Sequence, residues 1–388
     1  MFTERREVVE SGNTLIPIDE LSILLRSYGV NYCGPSCGRR DVLMRLSDEN
    51  HETLFGARIN PDSPYTYNGG ATSNMSENYE GISISLFSRG WRPDAYFKGR
   101  VEDRYVNPDA VLNLNLSQFC GNGCGFCVRK YMNDKPTDYP QVSQEYITQL
   151  LDVASKITDA SDLSEVEQIS LVSGMRNVVD ENQGPVPLTK VIQHTFESAK
   201  GLGFKGRIMY AGYNLDPKDA ELIASVVPDF LWMNTIEVFE RRSEIMPSAK
   251  GKKGMEEIIL NMQQVKAAGV GTSFFYIAGM DSIDRVAMWM DRLRNCSNSF
   301  PNISLYDVYN EQEESLRDTS FAKEPLEYSA NVASLVTSIY GPPNRGGLDS
   351  TATLWTPRKG LLTNKAFVLN DHWSNVPEMG PQYNTRVV

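Results

Sequence analysis

The chain has 388 residues, 41% of them hydrophobic, with 38 Lys plus Arg against 49 Asp plus Glu and a formal net charge of −11. That length and apolar content allow a large core, in one domain with an extension or in two to three smaller ones. The acidic balance, with no long basic run, argues against broad contact with nucleic acid, where neutralising phosphate by Lys and Arg dominates affinity. No unbroken apolar stretch reaches the length of a membrane span. The N-terminal MFTERREVVESGNTLIPIDEL lacks the apolar core of a secretory signal. A cytoplasmic protein is expected, with neither nucleic acid nor membrane as partner.

In chain order, residues 1–108 read as an N-terminal extension packed on the rest as a candidate lid. IDELSILLRSYG has a helical pattern, whereas residues 56–80 are rich in Gly, Asn, Ser and Tyr, which is loop chemistry. From Val111 onward short apolar strands alternate with amphipathic helices. Strands are predicted to begin near Val111, Gln168, Arg207, Phe230, Thr272 and Ile303. Between them lie the helical stretches SQEYITQLLDVASKI, LTKVIQHTFESAKGL, DPKDAELIASVV, MEEIILNMQQVKAAG and DRVAMWMDRLRNC. The Asp-Pro before KDAEL and the Gly after KAA are start and stop signals for helices. Six consecutive βα units imply a parallel sheet with helices on one or both faces. A doubly wound sheet fits that count; the fold expected is α/β, a partial (β/α)6 TIM-like barrel over 109–340. Residues 341–388 read as an irregular C-terminal tail packed on it. In either architecture chemistry belongs at the carboxyl ends of the strands.

The segment LNLNLSQFCGNGCGFCVRKYMND lies at the first of those ends and carries Cys120, Cys124 and Cys127. Six cysteines in all are too few for a disulfide scaffold, and a tight cluster in a reducing compartment points to metal binding. Thiolates are the usual ligands of iron–sulfur clusters, and a 4Fe–4S cube normally takes four. With three on one loop, one iron keeps an open position, as a catalytic metal needs. Gly121, Gly123 and Gly125 let the loop wrap a cube without Cβ clashes. The competing readings are a structural zinc, an electron-transfer cluster or three unrelated thiols. Zinc knuckles usually include histidine, and His51, His194 and His372 are all remote from the motif. Cys33, Cys37 and Cys296 are too scattered to suggest a second cluster.

Cys-x3-Cys-x2-Cys after the first strand of a partial barrel resembles the signature of the radical S-adenosylmethionine (SAM) superfamily. The likeness is loosely nearest its biotin-synthase and aromatic-amino-acid-lyase-like members. The resemblance implies two cofactors, a 4Fe–4S cluster held by the three cysteines and SAM chelated at the open iron. It places Phe126 near the adenine and the backbone of Ser173, Gly174 and Met175 near the SAM amino group. It makes Glu237 an acceptor for the amino group or ribose, and Arg241 or Arg242 a partner of the SAM carboxylate. Backbone from Ile277 to Gly279 would lie along the adenine. Each of these positions also has a plain reading as a turn glycine or a solvated helix start.

The function expected is reductive cleavage of SAM to a 5′-deoxyadenosyl radical that abstracts hydrogen from a small polar metabolite, an amino acid being one candidate. Tyr210, Asn234, Tyr276 and Asp307 are the candidate substrate contacts, and no residue is assigned as catalytic. The alternatives are modification of a peptide and a non-catalytic iron–sulfur or metal-binding protein. The resemblance also implies a flavodoxin or ferredoxin as electron donor. Arg129 and Lys130, with a second run of Lys250, Lys252 and Lys253, are its candidate docking charges.

Overall fold

The computed structural model describes residues 110–117, 120–127, 142–156, 158, 160–172, 184–298, 301–306 and 315–340, with strands or strand pairs at 31–32, 41–47, 52–58, 66–67, 85–87, 95–98, 101–102, 105–106, 179–180 and 385–387. Six parallel strands form its centre: β1 (Ala110–Asn115), β2 (Val166–Val172), β3 (Arg207–Gly212), β4 (Leu231–Glu237), β5 (Gly271–Ala278) and β6 (Asn302–Leu305). Five helices connect or follow them: α1 (Gln144–Ser155), α2 (Leu188–Gly201), α3 (Pro217–Val226), α4 (Met255–Ala267) and α5 (Ile283–Arg294). A sixth, α6, spans Pro325–Tyr340.

The strands lie side by side in chain order, each parallel to the next. Parallel crossovers are right-handed. An order that never reverses therefore carries every helix to the same face, and the sheet curls into a half-barrel instead of being doubly wound. Side-chain alternation agrees with this. Leu112, Leu114, Ile169, Leu171, Ile208, Trp232, Phe274 and Ile303 share one buried cluster with helix residues such as Ile147, Ile192, Ile223, Met262 and Met290. Met209, Ala211, Leu231 and Met233, at the intervening positions, form a separate cluster on the inner face.

Local chemistry fixes where the helices begin and end. Ser143 caps α1 by accepting from the Tyr146 amide, and Asp216 caps α3 with Pro217 at its first turn. Gly269, at φ +90°, closes the chain after α4. The six strands and five of the helices agree with the sequence reading. The additional helix α6 packs Tyr328, Val332 and Val336 into the same core.

The N-terminal extension continues the sheet. Ala95–Lys98 pairs antiparallel with β1, and Ser85–Phe87 pairs with Ala95–Lys98, so the main sheet has eight strands. Elsewhere Asp41–Ser47 pairs with Glu52–Arg58 and with Thr385–Val387 near the C-terminus. The helix expected within IDELSILLRSYG lies outside the described residues.

The turns at the carboxyl ends of β4 and β5 are tied together by Asp281. Its carboxylate accepts from the amides of Phe239 (2.9 Å) and Glu240 (2.9 Å) and from the Tyr276 hydroxyl (3.1 Å). Tyr328 of α6 adds a bond from its hydroxyl to the Asp281 carbonyl, 2.6 Å. Burial holds the Asp281 carboxyl above the usual carboxylate range, although the two backbone amides pull the other way. A raised acid favours its protonated form in the native state, so its charge opposes folding at neutral pH and this penalty fades on acidification through the folded pKa. The hydrogen bonds dominate any truncation: Asp281→Ala strands three donors at about 1–3 kcal/mol each. Urea denaturation should show a loss of about 3 kcal/mol or more; an unchanged midpoint would contradict this tie.

Candidate metal and cofactor site

The cysteine loop leaves β1 where the Leu116 amide bonds to the Val172 carbonyl of β2, 2.9 Å. Gly123 takes φ +61° in mid-loop, and a turn brings the Cys127 amide to the Cys124 carbonyl at 3.1 Å. Cys124 is buried, whereas Cys120 and Cys127 are half-buried; none is disulfide-bonded. Phe126 is buried and joins the main core with Cys124. Burial, then the nearby Glu237 carboxylate, pushes the Cys124 thiol up to about 12, with Cys127 and Cys120 adding smaller contributions.

The loop rests on the segment that follows β4. The Gly125 amide donates to the Ile245 carbonyl at 2.7 Å, and a Cβ on Gly125 would sit 3.4 Å from that oxygen and 3.3 Å from Leu316. Ser248 donates to the Asn122 side-chain oxygen at 2.8 Å, and the Asn122 amide nitrogen points to the Cys120 sulfur at 3.4 Å. An N–H directed at a ligand sulfur is one of the levers that set the potential of an iron–sulfur cluster.

Arg242 folds that segment. Its buried guanidinium donates to the carbonyls of Ile236 (2.8 Å), Lys250 (3.0 Å) and Lys253 (3.1 Å), and to that of Val238. It thus ties the end of β4 to the two short helices Arg242–Ile245 and Ala249–Lys252. Arg241 stands at φ +49° and donates to the Leu316 carbonyl at 2.8 Å, with Glu244 3.7 Å away. Both arginines named for the SAM carboxylate thus donate to backbone oxygens here, and Arg242 also lies 4.0 Å from the Met255 sulfur.

A different cation faces the site. Lys250 is buried and ion-paired with Glu237. Glu237 ends β4 at a break in the β4–β5 register and holds φ +67°, a left-handed conformation unusual for a residue with a side chain. Such strain is tolerated where surrounding contacts over-determine it, and the Lys250 pair and the Arg242 clamp on either side do so here. The sequence reading placed Lys250 among solvated docking lysines. Within that run Lys252 is exposed, whereas Lys253 bonds Asn214 at 3.0 Å and pairs with Glu257 at 3.1 Å.

The remaining candidates separate by face. Ile277 lies on the inner face, in register with Ser304. Gly279, at φ +114°, lets the Phe321 ring pack where a Cβ would be only 2.8 Å from it, and its amide donates to the Tyr328 hydroxyl at 3.2 Å. Tyr210, Asn234 and Tyr276 alternate with the inner-facing residues and so point toward the helix layer. Asn234 shares its parity with Trp232 and Ile236. Tyr276 stacks on Phe239 with ring centroids 4.3 Å apart. Ser173, Gly174, Met175, Asp307, Arg129, Lys130, Cys33 and Cys37 lie outside the described residues.

Among the described residues, no three His, Cys, Asp or Glu side chains converge as they would on a single metal ion. A cube spreads its thiolates farther apart, one on each of three irons. Three cysteines on a glycine-rich loop, with a buried charged pair beside them, supply a donor set that could hold an iron–sulfur cluster.

No protein-family model matches the sequence, nor does any curated protein. Among solved structures, the chain is similar to the [FeFe]-hydrogenase maturase HydG, with 11% identity and a TM-score of 0.43 over 60% of this chain and 50% of that one. It is similar to Streptococcus suis SuiB bound to the precursor peptide SuiA, with 13% identity and a TM-score of 0.36 over 51% of this chain and 39% of that one. The cobalamin-dependent S-adenosylmethionine radical enzyme OxsB matches with 13% identity and a TM-score of 0.31 over 56% of this chain and 30% of that one. This chain thus spans half or less of the length of these structures. At such scores function has to be read from the chain's own side chains.

The Glu237–Lys250 pair gives a direct test of the platform. Removing one partner of a buried pair typically costs about 3–5 kcal/mol, because the other charge is left uncompensated. Lys250→Met should therefore destabilise the fold by an amount of this order. The double variant Lys250→Met/Glu237→Gln should recover much of it in a denaturation cycle. Additive losses would show that the two groups do not interact.

Proposed function

We propose that this chain is a radical SAM enzyme whose 4Fe–4S cluster is held by Cys120, Cys124 and Cys127. The observation that carries the reading is the position of this three-thiol loop. It sits on the carboxyl rim of a six-stranded half-barrel, docked on the turn that holds Glu237 and Lys250. A cluster held there would supply the one electron needed to split SAM into methionine and a 5′-deoxyadenosyl radical able to take a hydrogen atom from the substrate.

The protein's own residues do the rest. Three thiolates leave a fourth coordination position for the amino and carboxylate groups of SAM. Glu237 and Lys250 offer an anion and a cation beside Cys124, matched to those two groups of opposite charge. Asn122, held by Ser248, directs its amide at the Cys120 sulfur. Phe126, buried beneath the loop, fixes the backbone between the second and third cysteines. The substrate is a small polar metabolite or a peptide segment entering the concave face. The electron comes from a flavodoxin or ferredoxin. Lys250 is withdrawn into the Glu237 pair, which leaves Lys252 as the exposed cation of its run, with Arg129 and Lys130 following the loop in sequence, for docking such acidic carriers.

Anaerobic reconstitution tests the ligand set. Wild type should take up about four irons and four sulfides per chain. Each single Cys→Ala variant at 120, 124 or 127 should lose most of the cluster, and with it 5′-deoxyadenosine formation under dithionite. A triple variant that keeps a full cluster would overturn the assignment.

A further inference from the structure

The cysteine loop and the segment after β4 meet in antiparallel order. Asn122 lies opposite Ser248, Gly123 opposite Pro247 and Gly125 opposite Ile245. Hydrogen bonds close both ends of this pairing, from the Ser248 hydroxyl to Asn122 at 2.8 Å and from the Gly125 amide to the Ile245 carbonyl at 2.7 Å. Between them, a Cβ on Gly123 would stand 3.9 Å from the Pro247 ring. The register thus fixes where the Asn122 carboxamide sits.

The Ser248 hydroxyl is engaged on both sides. Its oxygen accepts from the Lys250 amide at 3.3 Å, and its single proton goes to Asn122 Oδ1. With Oδ1 taken, the other end of the carboxamide, Nδ2, faces the Cys120 sulfur at 3.4 Å. The reverse orientation would set a carbonyl lone pair against a thiolate and leave the Ser248 proton without this acceptor. Ser248 therefore decides which end of Asn122 meets the sulfur.

We infer that Ser248 is a positioning residue: through Asn122 it holds an amide N–H on the Cys120 sulfur and thereby raises the reduction potential of the cluster bound there. The inference rests on the radical SAM reading for the presence of that cluster, and adds the residues that poise it. Reduction moves one electron from the reductant, a flavodoxin, ferredoxin or dithionite, onto the cluster; no bond to the protein is made or broken. The ligand sulfurs share the added negative charge. A neutral donor on one of them therefore stabilises the reduced state more than the oxidised one.

A dye-mediated redox titration of the full reconstituted chain, followed by electron paramagnetic resonance without SAM, tests this. Asn122→Ala and Ser248→Ala should each lower the midpoint. At the wild-type midpoint the ratio of reduced to oxidised cluster should fall about five-fold, as loss of one such hydrogen bond predicts. Ser248→Thr keeps a hydroxyl and should keep the wild-type potential. Because serine acts through asparagine, the double alanine variant should fall no further than Asn122→Ala alone. Ser248 lies off the cysteine loop, so its alanine and threonine variants decide the matter even if Asn122→Ala loads poorly. Unchanged midpoints in fully loaded alanine variants would overturn the inference and leave the radical SAM reading standing. So would a threonine variant as low as alanine, or a second full drop in the double variant. A wild-type chain that takes up no cluster would sink that reading, and this inference with it.

Discussion

The candidate site depends on one guanidinium. Arg242 is buried beneath the rim of the sheet and gathers four carbonyl oxygens, from the end of β4 and from the two short helices after it. A planar fork with five N–H donors is suited to this, and a lysine, with one compact charge, could not reach the same spread of acceptors. Once the segment is folded in this way, Ile245 presents the carbonyl that receives the cysteine loop, Ser248 orients Asn122, and Lys250 meets Glu237. Burial disfavours the guanidinium's charge, and Glu237 is the strongest of the groups that offset it. The same carboxylate raises the Cys124 thiol. Clamp, charged pair and cysteine loop are thus one electrostatic unit.

The sheet divides its labour between its faces. The helix-facing side is close-packed around Trp232, Phe274 and Tyr276 and carries the bulk of the apolar burial. The inner side keeps amides and hydroxyls that a core built only for stability would exchange for apolar residues. Proteins give up stability in this manner at functional sites. Glu237 and Arg241, both at positive φ, stand at the carboxyl end of β4, while Ser161, Asn214 and Asp229 share that backbone region elsewhere in the chain.

Much of this was legible in the sequence. Strands buried on both faces read as short apolar runs, and the helices between them carry ordinary start and stop signals, so the six strands and the five helices between them were found. The cysteine spacing was equally plain, because it is local. What escaped depends on contacts across long stretches of chain. Arg242 and Lys250 look like surface charges in a basic, glycine-containing segment, and only the fold brings the carbonyls and the carboxylate that let them be buried. The facing of Asn234 and Tyr276 escaped for a different reason. Both faces of a central parallel strand are buried, so hydrophobicity does not mark the parity, and the register break before Glu237 shifts it again. Asn122 and Ser248 are 126 positions apart and carry no mutual signal. Helix α6 was readable in principle, from Pro325 at its start and the Leu326, Val332, Val336 and Ile339 spacing.

The central claim is that three cysteines leave one iron open to SAM. Electron paramagnetic resonance of the dithionite-reduced, reconstituted protein, recorded with and without SAM, addresses it most directly. If the fourth position is open, adding SAM should shift the g-values of the reduced cluster, because its amino and carboxylate groups enter the coordination shell. An identical spectrum at saturating SAM, from a protein shown to carry the full cluster, would contradict the account.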